Sequence, residues 1–162
     1  MTGVQTCALP IFNADRFEPD ADQVIGAARL AGLERVLVPG WNVASSERAL
    51  ACVDRFPWLD AAVGIHPHDA AKVDDAGWAR VVAWASDSRV VAIGETGLDY
   101  DRVFSPIADQ LINLRRNLAL ALETGKPAIL DELAWGAHAG EAGRMASPEP
   151  LFPRLDVETG PT

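Results

Sequence analysis

The chain has 162 residues, of which 49% are apolar and 23% charged, a balance typical of one globular domain with a real core. Its net charge of −9 argues against a sequence-independent grip on nucleic acid through a basic surface, but not against an enzyme that binds phosphates through metal ions. No apolar run is long enough to span a bilayer. The two cysteines form neither a disulfide framework nor a ligand pair, so a reducing, cytoplasmic location is expected.

The first eleven residues, MTGVQTCALPI, show neither helical nor strand periodicity. They closely resemble the translation of a sequencing-adapter primer. We therefore expect residues 1–11 to be a non-native leader that packs poorly against the domain; a short disordered leader is the alternative.

From Phe12 onward, short apolar strands alternate with helices. The clearest helix is predicted to begin with Ser105 as N-cap and Pro106 as its first residue, to present an apolar face that runs on to Leu122, and to end at Gly125. Strands are predicted at residues 35–40, 61–66, 90–95 and 127–130. Their nearly continuous apolar runs are typical of parallel strands buried on both faces.

A doubly wound sheet and a (β/α)8 barrel both fit this alternation, and the polar residues decide between them. His66, His68, Glu95 and Asp99 fall at or just beyond the carboxyl ends of different strands, and a barrel builds its active site from such residues. No glycine-rich phosphate loop of the dinucleotide or P-loop type is present. The predicted fold class is α/β, a partial TIM (β/α)8 barrel with about four βα units over residues 12–130.

After Leu130 the pattern collapses into scattered Gly and Pro without a sustained period. We expect residues 131–162 to form an irregular tail of foreign or frame-shifted sequence, in which His138 has no role.

Taken singly, the candidate residues have ordinary explanations. A glutamate after a strand is more often solvated or ion-paired than a ligand, and His-Pro-His can be a turn that its imidazoles cap. The residues Asp99, Tyr100 and Arg102 could form a surface hydrogen-bond cluster.

Together, three motifs say more. The segments GIHPHDA and AIGETGLDYDR, followed by QLINLRRNLALALETGKPAIL, closely resemble the TatD family of metal-dependent deoxyribonucleases. The departures are mild: an aromatic residue is usual within residues 112–114, and the family prefers Gln at Asn117.

The resemblance implies a (β/α)8 barrel that holds two divalent cations (Mg, Mn or Zn) at its mouth and cleaves phosphodiester bonds of DNA from the 3′ end by activating water. Glu95 falls on the family's metal-bridging glutamate, which would explain why a buried strand ends in a carboxylate. The implied substrate-binding residues are His66, His68, Asp99, Tyr100 and Arg102. DNA is the implied partner of a monomeric parent protein without membrane attachment.

The resemblance also shows what is missing. The family's first strand carries His-x-His, its fourth strand delivers a histidine where this chain has Asp131, and two later ligands have no counterpart. We therefore expect a fragment of a TatD-like gene, with no stably bound metal and no activity of its own. Two alternatives stay open: a metal-dependent hydrolase of small esters or amides on the same barrel, and a non-enzymatic half-barrel that binds a partner through its edge strands.

Overall fold

The computed structural model describes residues 20–133 and the backbone of one short strand before them. The strands are β1 (Cys7–Ala8), β2 (Val36–Pro39), β3 (Leu59–Val63), β4 (Val90–Asp99) and β5 (Ala128–Leu133). The helices are α1 (Ala21–Leu30), α2 (Val43–Arg55), α3 (Asp75–Ala85) and α4 (Ile107–Thr124), with a 3-10 turn at Pro67–Asp69. None of the described helices combines the length and apolarity that crossing a membrane requires.

All five strands pair in parallel, in the order β1-β2-β3-β4-β5. The spatial order of the strands is the same as their order along the chain. Each crossover therefore places the next strand beside the previous one, as in a (β/α)8 barrel. The four strands predicted from the sequence are present, and their parallel pairing is confirmed.

Two strand boundaries were predicted too short. β4 continues past Glu95 to Asp99, and β5 continues past Leu130 to Leu133. The two extensions pair with each other, Gly97 opposite Asp131. Glycine is required there, because a Cβ on Gly97 would collide with the carbonyl oxygen of Asp131. Asp131 therefore belongs to the sheet and not to an irregular tail.

The leader was expected to contain no strand, and this expectation is corrected. Cys7 and Ala8 pair in parallel with Val36 and Leu37 of β2. The non-native origin of residues 1–11 stays a prediction. The predicted tail, from residue 134 onward and including His138, lies outside the described residues.

The core lies between the sheet and the helices packed on it. Its largest fully buried apolar side chains are Ile25, Leu59, Ile65, Ile93, Val36, Val38, Val63, Val81 and Val90. Burial of each such side chain contributes about 1.5–3 kcal/mol relative to exposure, so this layer is the main source of stability.

Helix α4 differs from its prediction in two ways. It begins one residue later, because Pro106 is the N-cap and the Ser105 hydroxyl is used elsewhere: it donates to the carbonyl of His68 at 3.0 Å. Its buried face does not reach Leu122, which is 73% exposed. Instead it includes three amide side chains, Gln110, Asn113 and Asn117.

We predict that Gly64→Ala lowers the free energy of unfolding by about 1–3 kcal/mol. A Cβ at Gly64 would lie 2.6 Å from the Cα of Gly94 on the adjacent strand, so the sheet has to shift. Gly26→Ala is the matched control: nothing lies within 4 Å of its Cβ, and alanine in the middle of α1 should raise stability by up to about 1 kcal/mol. Urea unfolding of both variants checks this, and a Gly64→Ala chain as stable as wild type would contradict it.

Candidate active site at the carboxyl ends of the strands

Four of the residues predicted from the sequence lie directly after β3 or in the carboxyl-terminal half of β4, and β5 adds a fifth residue. His66 and His68 follow β3, Glu95 and Asp99 lie on β4, and Asp131 lies on β5. The imidazole rings of the two histidines are 4.3 Å apart between centroids, and each ring contacts a different aspartate.

His66 has its two ring nitrogens assigned by their partners. Nδ1 accepts a hydrogen bond from the backbone N–H of His68 at 3.2 Å, so this nitrogen carries a lone pair. The other nitrogen, Nε2, lies 2.8 Å from Oδ2 of Asp131 and donates its proton there. The predicted capping turn at Pro67 is therefore present, and it also points His66 toward β5.

His68 forms the second imidazole–carboxylate pair, with Nε2 against Oδ2 of Asp99. Asp99 is completely buried, and its other oxygen accepts the backbone N–H groups of Asp101 and Arg102 at 2.9 and 3.0 Å. Burial by itself would raise the pKa of Asp99, but the hydrogen bonds from Arg102, His68 and Asp101 outweigh it and lower this pKa below the ordinary value. Asp99 is thus a charged structural anchor for His68.

Glu95 has the opposite electrostatic environment. Its side chain is half-buried, and its backbone N–H donates to the carbonyl of Gly40 at 2.9 Å, which fixes this end of β4 against β2. Burial raises the pKa of the Glu95 carboxyl, and the negative charge of Asp131 raises it further. The fold thus disfavours the charge on Glu95, and a cation beside it would relieve that cost.

The buried amides of α4 hold the loops that follow β3 and β4 in place. Gln110 accepts the backbone N–H of Asp99 at 2.7 Å and donates to the carbonyl of Ser105 at 2.8 Å. Asn113 donates to the carbonyl of Ile65 at 2.7 Å, directly before His66. Sequence reasoning missed these residues. The available signal was their spacing, since positions 110, 113 and 117 lie on one face of a helix.

The remaining predicted residues lie on the loop between β4 and α4. Tyr100 is 37% exposed, and Arg102 is exposed. Phe104, which the sequence did not single out, is 64% exposed, and its ring lies 4.7 Å from that of His68. Both predicted residues therefore lie at the surface, on the loop that directly follows Asp99.

The fit of this site to a pair of divalent ions is incomplete. Among the side chains that the structure describes, those of residues 20–131, no group of three or more His, Cys, Asp or Glu is arranged to hold a metal ion. Both histidines are taken up by aspartates, which leaves Glu95 and one edge of Asp131 as open donors. The described residues therefore do not complete a two-metal centre.

Parallel strands joined by crossover helices, with imidazoles and carboxylates gathered at their carboxyl ends, define an α/β protein of the TIM-barrel class. The family model described as TatD related DNase matches residues 11–137, and the chain belongs to this family.

Curated relatives agree with the family assignment. The chain is 39% identical over 117 residues to the 3'-5' ssDNA/RNA exonuclease TatD of Cronobacter sakazakii, a match that covers 72% of this chain and 44% of the relative. It is 34% identical over 118 residues to the metal-dependent hydrolase YabD of Bacillus subtilis, covering 73% and 46%.

A solved structure supports the fold. The chain superimposes on YJJV, a TatD homologue from Escherichia coli, with a TM-score of 0.68 and 28% identity, covering 78% of this chain and 48% of that one. The predicted partial barrel is confirmed. The chain spans about half the length of the relatives it matches.

We predict that Glu95→Gln stabilises the metal-free chain at pH 7 by about 1 kcal/mol, since it removes a charge that the fold disfavours. The pKa of Glu95 in the folded chain lies above its unfolded value near 4.5. The protonated form therefore stabilises the fold fully below about pH 4.5, and this stabilisation is lost as the pH rises through the folded pKa. The advantage of the Gln variant should therefore disappear below about pH 4.5.

Urea unfolding at pH 7 and pH 4 in the presence of EDTA measures this difference. Glu123→Gln, at an exposed position on α4, is the matched control and should change stability by less than about 0.5 kcal/mol. A Glu95→Gln chain that is less stable than wild type at pH 7 would show that the native environment favours the charge.

Proposed function

We propose that the site at the strand ends belongs to a metal-dependent phosphodiester hydrolase that degrades single-stranded DNA from its 3′ end. The observation that carries the proposal is the position of Glu95, a half-buried carboxylate in the carboxyl-terminal half of β4 whose pKa is raised by burial and by the charge of Asp131. The family assignment and the name of the Cronobacter sakazakii relative support the reaction class. Glu95 is proposed as the carboxylate that two divalent ions (Mg, Mn or Zn) share.

The proposed substrate side of the cleft is lined by His66, His68, Asp99, Tyr100 and Arg102. Arg102 presents an exposed guanidinium, a group whose planar fork suits phosphate oxygens. Asp99 acts through His68, whose ring it holds in one orientation. Asp131 and Asp99 bind His66 and His68, which orients both rings on this side of the site.

We propose that the 162-residue chain by itself holds no stable metal pair and hydrolyses no DNA. Support comes from the incomplete donor set in the described residues and from Asp131, which stands where the family resemblance implies a histidine. Cytoplasmic location and a monomeric state are part of the same proposal.

A hybrid protein tests the function. Residues 12–130 of this chain replace the matching segment of the Cronobacter sakazakii relative, which supplies the rest of the barrel. With Mg²⁺, the hybrid should shorten a 5′-labelled single-stranded oligonucleotide from its 3′ end, and EDTA should stop the reaction. Glu95→Gln in the hybrid should reduce the rate at least about 100-fold, since even residues that only support metal ligands cost 10–100-fold.

Glu123→Gln in the hybrid is the control and should leave the rate unchanged. A folded hybrid that cleaves DNA equally well with Glu95→Gln would show that Glu95 holds no metal. A folded hybrid that leaves DNA intact but hydrolyses a small ester such as p-nitrophenyl acetate would favour the alternative hydrolase.

A further inference from the structure

Phe104 is an exposed aromatic side chain that packs against His68. With 64% of its surface open to solvent, it lies on the loop between β4 and α4. Its ring stands perpendicular to that of His68, at 87° and 4.7 Å between centroids. Buried Asp99 binds His68, so the phenyl group rests against a ring that is itself anchored.

The backbone of the loop immediately before Phe104 is held by Asp99 and is strained at Val103. The side chain of Asp99 binds the N–H groups of Asp101 and Arg102, which turns the chain back at the end of β4. Val103 then takes a φ of 47°, in the left-handed region that a β-branched residue rarely adopts. Such strain persists only where the surroundings impose it, and it is common at ligand-binding positions.

The exposed ring continues the row of groups in the cleft. The rings of His68 and His66 are 4.3 Å apart, and His66 reaches Asp131 at 2.8 Å, the aspartate that acts on Glu95. Phe104 therefore stands at one end of a row of neighbouring side chains that runs through His68 and His66 to Asp131, whose charge acts on Glu95.

We propose that Phe104 is a stacking platform for one nucleobase of a single-stranded nucleic acid, which positions the strand along the row toward Glu95. The proposal rests on the proposed function and names how the substrate is recognised. A chain with a net charge of −9 gains little from a general attraction to phosphates, whereas stacking on an aromatic ring does not depend on charge. Every base has a π-face, so this contact would tolerate any sequence.

The test measures binding of the 162-residue chain to a fluorescein-labelled thymidine decamer in EDTA, where no hydrolysis interferes. Phe104→Ala should weaken binding roughly 5- to 150-fold, the range found when a stacking side chain is truncated. Phe104→Trp should retain wild-type affinity. A decamer of the same length with abasic sites should bind wild type and Phe104→Ala equally weakly, because it offers phosphates but no bases.

Leu122→Ala is the matched control, because Leu122 is an equally exposed apolar residue near the other end of α4. Unchanged thymidine binding by Phe104→Ala would overturn the platform alone. Equal losses on the thymidine and abasic decamers would also overturn it, since they indicate a damaged loop. Sedimentation that shows a wild-type dimer and a Phe104→Ala monomer, with DNA binding intact, would assign the ring to self-association instead. A wild-type chain that binds neither decamer would overturn the platform, whereas the proposed hydrolase function is tested separately by the hybrid protein.

Discussion

The site depends on a set of buried hydrogen bonds between α4 and the strand ends. Gln110, Asn113 and Asn117 are at most 1% exposed, and their amides bond to Asp99 and Ile65, one residue before His66. Leaving such a buried group unpaired costs about 1–3 kcal/mol, so these contacts set the positions of the two loops with little freedom. Arg116 extends the set outward: it donates to Asn113 at 3.1 Å and stacks on Trp78 of α3 at 4.3 Å. The outer helix layer therefore supports the cleft.

Two acidic residues on the same strand experience opposite environments. Asp99 receives three hydrogen bonds that favour its charge, whereas Glu95 loses solvent and faces the negative charge of Asp131. An acid whose charge is satisfied is suited to holding a neighbour in place, and here that neighbour is His68. An acid whose charge is disfavoured is a candidate for function, because a ligand can supply what the fold does not. This contrast separates the anchor from the proposed metal ligand.

The sequence predicted the features that depend on local pattern. Alternating apolar strands and amphipathic helices identified the parallel sheet, and the spacing of the motifs around His66 and Glu95 identified the family. Features that depend on contacts between distant residues were missed: the extension of β4 needs Gly97 to meet Asp131, and His68 meets Asp99 thirty-one positions later. A polar amide on a helix is predicted to be a surface residue unless the loop that it binds is known. The buried face predicted for α4 therefore ran on to Leu122 and omitted the three amide residues.

The central claim is that the fold holds Glu95 where its negative charge is unfavourable without a cation. A ¹³C NMR titration of the side-chain carboxyl carbons of the metal-free chain tests this directly, with Asp99 as the internal reference. We expect a pKa for Glu95 above its ordinary 4.5 and a pKa for Asp99 below its ordinary 3.8. A Glu95 carboxyl that titrates at or below 4.5, while Asp99 behaves as expected, would contradict the claim.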